Sequence, residues 1–192
     1  MSMKTGRWDY WQLKLRAMAW LLAGRRESAL DVFSEMLRHW PTDPYALASR
    51  SHVLAHLGRR EAAIADAQSL VKAHPRRSAA DWFNLAFLLE EEGLLCDAEQ
   101  AFRGAVALDP KLDRAWYGLG LVLIRLQRFD EAVKALKRNT QLQPMSPFGW
   151  YQLARVHMDR QEPEEAMQII RHLKGFEPKI AAQLERETGL SS

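Results

Sequence analysis

The chain has 192 residues, 47% of them hydrophobic and 27% charged, so it is long enough to bury a continuous core. Its formal net charge of +3 is small and points neither to nucleic acid nor to an anionic membrane. The single cysteine, Cys96, excludes a disulfide within the chain and fits a reducing compartment.

The predicted elements are all helices. After a loose start at residues 1–7, the first helix is expected at 8–22 and the second at 27–39. The apolar run at 17–24 is too short to span a bilayer and has charges close on both sides. We therefore expect no targeting segment, no membrane insertion and a cytoplasmic location.

Amphipathic helices continue along the rest of the chain. They are expected at 44–57, 60–73, 79–92, 95–108, 113–126, 129–142, 147–160 and 163–174. Asp43 followed by Pro44, and Ser146 followed by Pro147, are helix-start signals that combine a cap with proline at the first helical position. A shorter helix at 179–188 is interpreted as a polar cap on the last helix pair. The alternative is a detachable helix used in self-association.

Glycines mark the turns inside the first three helix pairs. Gly24, Gly58 and Gly93 stand where the first helix of each pair ends, which is typical of a left-handed C-terminal cap. Gln127 and Gln161 hold the same place in the last two pairs. We expect those two turns to close differently.

The helix pairs repeat with a period of 34 or 35 residues. Prolines close successive copies at spacings of 34, 35, 34 and 34: Pro41, Pro75, Pro110, Pro144 and Pro178. Each second helix carries a small residue that lets it approach its partner closely: Ala29, Ala63, Ala98, Ala132 and Ala166. In one copy, Trp116, Leu119, Gly120 and Leu123 share a face of the first helix. Such hairpins need neighbours to bury their apolar faces.

This pattern resembles the tetratricopeptide repeat family, whose signature combines a 34-residue period with Trp, Leu-Gly, Tyr, Ala, Phe and Pro at fixed offsets. The copy at 113–146 matches best. The copy at 44–78 matches least well, because Leu47 replaces Trp, Arg50 and Ser51 replace the Leu-small pair, and Ala67 replaces Phe.

The resemblance implies an all-α, right-handed α-solenoid of five helix-turn-helix repeats with a C-terminal capping helix. The implied division of the chain is an N-terminal extension (1–9), five repeats (10–43, 44–78, 79–112, 113–146 and 147–178), and the capping helix with its tail (179–192).

The resemblance also implies a concave groove, lined by the face of each first helix that hairpin packing leaves over. The residues expected there are Lys14, Met18, Tyr45, Ser49, His52, Phe83, Asn84, Phe87, Arg114, Tyr117, Leu121, Arg125, Tyr151, Gln152 and Arg155. Rings on such a face favour a peptide-binding surface. The alternative is that Phe83, Phe87, Tyr117 and Tyr151 pack between adjacent first helices.

We therefore predict a non-catalytic protein-interaction module, an adaptor, scaffold or chaperone-like protein that binds a peptide or helix of a partner. The clamp by which some relatives grip a C-terminal carboxylate is not expected, since only Asn84 matches it fully and Arg114 is a charge-preserving substitute. An alternative is a homo-oligomeric scaffold that assembles through its terminal helices, because Trp8 and Trp11 make the first helix unusually aromatic.

Other chemistry is not expected. His52 and His56 have metal-ligand spacing, but they lack the glutamate of a His-Glu-x-x-His motif and an obvious third ligand. We find no Ser-His-Asp set and no glycine-rich phosphate loop, so neither an enzyme nor a cofactor is predicted. Arginines at the hairpin turns, among them Arg59 and Arg128, suggest a basic ridge, but the acidic run 90–92 interrupts it. No regular code of the kind that reads RNA is visible along the groove.

Overall fold

The computed structural model describes residues 6–190, and the regular secondary structure in that range is entirely helical. The helices are α1 (Arg7–Leu22), α2 (Arg26–His39), α3 (Pro44–His56), α4 (Arg60–Ala73), α5 (Ala79–Glu91), α6 (Leu95–Leu108), α7 (Asp113–Arg125), α8 (Phe129–Leu142), α9 (Pro147–Asp159), α10 (Pro163–Lys174) and α11 (Pro178–Thr188). Each begins and ends within one residue of its predicted position. Residues 1–5 of the predicted loose start lie outside the described range.

The helices fall into two compact units that divide after Glu92. The first unit holds α1–α5 and the second α6–α11, and within each unit every helix packs against the next. The small residues of the second helices are all fully buried: Ala29, Ala63, Ala98, Ala132 and Ala166. For the pairs α1–α2, α3–α4, α7–α8 and α9–α10, each of which lies within one unit, this burial confirms the predicted close approach of paired helices. The all-helical structure confirms the predicted all-α fold.

The predicted difference between glycine and glutamine turns is wrong. Gln127 and Gln161 adopt left-handed φ values of 59° and 62°, close to the 74° of Gly58. The amide of Gln127 donates to the Ile124 carbonyl as that of Gly58 donates to Ala55, both within 3.0 Å. The hydrogen bonds at the end of the first helix of each pair therefore require a left-handed residue at this position. Glutamine adopts the left-handed conformation at the cost of steric strain.

That strain gives a first prediction. We expect Gln127→Gly to raise the free energy of unfolding by about 0.5 kcal/mol, because relief of about 1 kcal/mol of left-handed strain exceeds the added flexibility of the unfolded chain. Chemical denaturation followed by circular dichroism measures the change. Gly58→Gln is the matched reverse substitution and should destabilise; a loss of stability in both variants would contradict the explanation.

The helix α11 covers the apolar faces of α9 and α10. Its buried residues are Ala181 and Leu184, and its exposed side chains include Lys179, Arg186 and Glu187. The outward side of α11 is thus polar, as predicted for a capping helix. Of the described helices, none is long and apolar enough to cross a bilayer.

The least regular copy contains a polar pair in its core. The Nε and Nη2 atoms of Arg50 donate to the two carboxylate oxygens of Asp66, both at 2.7 Å, and Asp66 is only 6% exposed. The Ser51 hydroxyl donates to the Ala63 carbonyl at 2.8 Å. The two residues that depart from the Leu-small pattern are therefore both satisfied inside the first unit.

Candidate functional site

A cleft of about 380 Å³ opens in the first unit among α3, α4 and α5. Its apolar lining consists of Ala48, Ala55, Ala67, Leu70, Phe87 and Leu88. Its polar lining consists of Ser51, His52, His56, Arg60, Asp81, Asn84 and Glu91. An apolar cavity of this size with a few polar groups around it is typical of a ligand site.

The cleft arises from one missing ring. Ala67 holds the repeat position that Phe33 and Phe102 fill with rings at most 1% exposed. In the second unit, the Phe102 ring lies so close to the next first helix that a Cβ on Gly118 would be 2.4 Å from it. Asn84 stands at the position equivalent to Gly118. The methyl group of Ala67 leaves the corresponding space in the first unit unfilled, and the cleft lies there.

Two histidines from α3 line the cleft. The rings of His52 and His56 lie with their centroids 4.3 Å apart. Burial, then the neighbouring His56 and Arg26, lower the pKa of His52, so its imidazole is neutral at pH 7 and can both donate and accept a hydrogen bond. Among residues 6–190, no three His, Cys, Asp or Glu side chains are grouped to hold a metal ion.

The charged groups around the cleft pair with one another. Arg60 lies 3.7 Å from Glu91 and 3.4 Å from Glu92, and Arg77 contacts Asp81 at 2.7 Å. These pairs leave the lining close to neutral overall. Such a lining suits an uncharged apolar side chain better than a carboxylate or an ammonium group.

The cleft brings together three of the predicted groove residues, namely His52, Asn84 and Phe87. The Phe87 ring is 46% exposed, so hairpin packing does not consume it. Phe83 and Ser49 are half-buried and lie outside the cleft lining. The rings of the first unit therefore divide between packing and an accessible surface.

The remaining predicted residues of the first unit lie nearer α1. The Nζ atom of Lys14 lies 4.1 Å from the centroid of the Tyr45 ring, a cation–π contact. Tyr45 also packs edge-to-face on Phe33, with ring centroids 6.0 Å apart. Met18 is exposed on α1. These residues do not line the cleft.

In the second unit, the predicted residues lie on α7 and α9. The Tyr151 hydroxyl donates to Glu187 of α11 at 2.6 Å, and this hydrogen bond raises the pKa of Tyr151. The Arg155 guanidinium lies 5.8 Å from the Tyr151 ring. The capping helix thus engages part of this surface. The others are half-buried or exposed on the two helices: Arg114, Tyr117, Leu121, Arg125 and Gln152.

Acidic partners accompany the arginines at the hairpin turns. Arg59 pairs with Glu27 at 2.8 Å, and Arg128 pairs with Glu131 at 2.6 Å. Both pairs join residues of one unit. The charges of Arg59 and Arg128 are therefore compensated, which weakens the attraction of these two turns for polyanions.

Sequence reasoning missed several cleft residues. Ala48, Ala55 and Leu70 line the cleft but were not predicted as groove residues. The available signal was Ala67, the small residue at a position where two other copies carry phenylalanine.

Comparisons with known proteins agree on the architecture. A family model described as "Tetratricopeptide repeat" matches residues 49–113, 97–147 and 117–176. A search of the curated proteins found no match.

Solved structures with a similar fold include three structures of other proteins. The MamA protein superposes with a TM-score of 0.81 at 16% identity, over 95% of this chain and 97% of that one. YrrB, described as a TPR protein with an unusual peptide-binding site, gives 0.79 at 16% identity over 88% of each chain. A MamA fragment from Desulfovibrio magneticus gives 0.75 at 21% identity over 99% of each chain. At these identities the likeness shows the fold alone.

Proposed function

Because this chain belongs to the tetratricopeptide repeat family, whose members are generally non-catalytic interaction modules, we propose that it binds a peptide or helix of a partner protein. The observation that carries the proposal is the cleft left where Ala67 replaces a ring. In the proposal, a large apolar side chain of the partner enters this cleft and anchors the segment.

An aromatic or large aliphatic side chain fits the chemistry of the cleft. Leu70 and Leu88 offer apolar contact, and the exposed Phe87 ring offers an edge or a face to an entering ring. Burying one such side chain contributes about 2 kcal/mol, which is the scale of an interface hot spot. A phenylalanine or tryptophan of the partner would enter the space that the methyl group of Ala67 leaves unfilled, beside the side chain of Asn84.

The polar lining supports binding of the partner's backbone. The exposed Asn84 amide supplies both a donor and an acceptor, and neutral His52 supplies either. Ordering an extended segment opposes these gains, so we expect a dissociation constant of about 1 μM. The predicted residues of α7 and α9 form a separate part of the proposed surface in the second unit.

The proposal is of a non-catalytic adaptor or scaffold that works without a cofactor. A cytoplasmic location is part of it, supported by the lone Cys96. A chaperone-like role is a variant of the same proposal, in which one anchor side chain recurs in many partner sequences.

A substitution that fills the cleft with a side chain of the protein itself tests the proposal. A random-peptide display library selected on the wild-type chain should yield peptides enriched in aromatic and large aliphatic residues. We expect Ala67→Phe to weaken their binding at least about tenfold, since the new ring occupies the anchor's place. Fluorescence anisotropy of the labelled peptides measures the dissociation constants.

The matched control is Ala65→Phe, the same substitution at an exposed position of α4 outside the cleft lining. It should leave binding unchanged. Circular dichroism should show that both variants keep their helices. Ala67→Leu, which introduces the residue that Leu136 supplies at the same repeat position, repeats the test without placing a ring beside the Cβ of Asn84. Equal affinity for wild type and Ala67→Phe, with the fold intact, would place the binding site elsewhere.

A further inference from the structure

An exposed apolar stripe runs along α1. It consists of Trp8, Trp11, Leu15, Met18 and Leu22, which are between 44% and 89% exposed. Successive members are three or four residues apart, so they share a narrow face of the helix. Leu13 and Ala17, which are buried, lie on the opposite face of α1. We call these five residues the outer stripe.

The outer stripe is unusual for a solvent-facing surface. Of the eleven large hydrophobic residues that are exposed in the described part of the chain, six belong to α1. From side chains of about 200 Å² each, the stripe offers roughly 600 Å² of accessible surface. Apolar patches of several hundred Å² typically mark interaction sites.

We propose that the outer stripe pairs with the outer stripe of a second copy of this chain, α1 against α1. Alternating steps of three and four residues average 3.5, the period of a two-helix seam with interlocking side chains. Two stripes together bury roughly 1,200 Å², which reaches the size of specific protein interfaces. Because the outer stripe of each copy contacts the outer stripe of the other, the contact has two-fold symmetry.

Charge selects the relative direction of the two helices. Arg7, Lys14 and Leu21 flank the stripe on one side, while Gln12 and Ala19 flank it on the other. Antiparallel pairing sets Lys14 of one copy against Lys14 of the other, and parallel pairing sets each basic residue against the uncharged flank. The parallel arrangement avoids repulsion between like charges, so the pair is parallel.

The other end of the chain does not offer the same chemistry. The exposed side chains of α11 include Lys179, Arg186 and Glu187, and its apolar residues pack within the second unit. A contact between α1 of one copy and α11 of another would therefore cover the stripe with charge. The symmetric α1 contact is the one that the surfaces of this chain favour.

Sedimentation velocity of the full chain over a wide concentration series tests this inference. We expect a dimer in the wild type and a monomer in the double variant Leu15→Glu, Leu22→Glu, with the dissociation constant raised at least about tenfold. The matched control is Leu94→Glu, Leu108→Glu, at two exposed leucines outside α1, and it should stay dimeric. Both leucines of the test variant are exposed, so its helical content should match the wild type.

Thiol cross-linking tests the direction. In a Cys96→Ser background, the thiols introduced by Leu22→Cys should form an intermolecular disulfide, because the parallel seam sets position 22 against its copy. An antiparallel seam sets it against position 8 instead. A wild-type chain that remains monomeric, or a dimer that persists in the Glu variant, would overturn the proposal; a dimer without the cross-link would overturn its parallel form. None of these variants alters the cleft beside Ala67. The test of the dimer and the test of peptide binding can therefore fail or succeed independently of each other.

Discussion

Arg50→Leu is expected to lower the free energy of unfolding by about 3 kcal/mol, because it leaves the Asp66 carboxylate buried without its cation. Both oxygens of that carboxylate accept hydrogen bonds from the Arg50 guanidinium at 2.7 Å, and Asp66 is 6% exposed. The Ser34 hydroxyl, which accepts from Arg50 at 3.2 Å, loses its partner as well. Urea denaturation followed by circular dichroism gives the change.

Adding Asp66→Ala to Arg50→Leu tests whether the unpaired Asp66 carboxylate causes the loss of stability. Leu119 and Ala135 hold the equivalent positions in the second unit and are both buried. The double variant Arg50→Leu, Asp66→Ala introduces that apolar pair into the first unit. We expect it to recover most of the lost stability, since a buried ion pair replaced by apolar groups is often neutral. A double variant no more stable than Arg50→Leu alone would show that Asp66 is not the source of the loss.

Gly118→Asn is expected to destabilise the second unit by about 3 kcal/mol, because its Cβ meets the Phe102 ring at an impossible distance. The ideal Cβ lies 2.4 Å from Phe102 Cζ and 2.5 Å from Cε1. Phe102 is 1% exposed and tightly enclosed, so the ring cannot move aside without disturbing the core. Thermal unfolding and urea denaturation both report the loss.

The first unit supplies the control for this substitution. There Asn84 and Ala67 hold the positions of Gly118 and Phe102. In a double-mutant cycle, Gly118→Asn should therefore cost much less when Phe102→Ala is already present, with a coupling of about 2 kcal/mol. Additive effects of the two substitutions would show that the glycine is required for another reason.

The helices and their pairing were predictable because each copy repeats the same local signals. Periodic apolar faces, prolines after the second helices and caps such as Asp43 act within a few residues, and the structure places every helix within one residue of its prediction. The division into repeats at the stated boundaries stays a prediction.

The features that could not be predicted from the sequence depend on how side chains fill the space between helices. The mismatch at Ala67 was visible, but its result, a cleft, follows only when the ring of Phe102 is seen beside Gly118. The contact of Tyr151 with Glu187 joins residues 36 positions apart and has no local signal. The left-handed Gln127 was mispredicted because glycine preference was taken as a requirement.

The polar outward side of α11 limits the number of chains that the proposed assembly can contain. In the proposed dimer, the seam covers the apolar stripes of both chains at once. The outward side of α11, as far as Leu190, is polar and offers no comparable stripe to a third chain, so we expect assembly to stop at two chains. Each such pair carries two clefts. A partner with two anchor side chains, spaced to reach both, would then be held by bivalent attachment, far more tightly than either single contact allows.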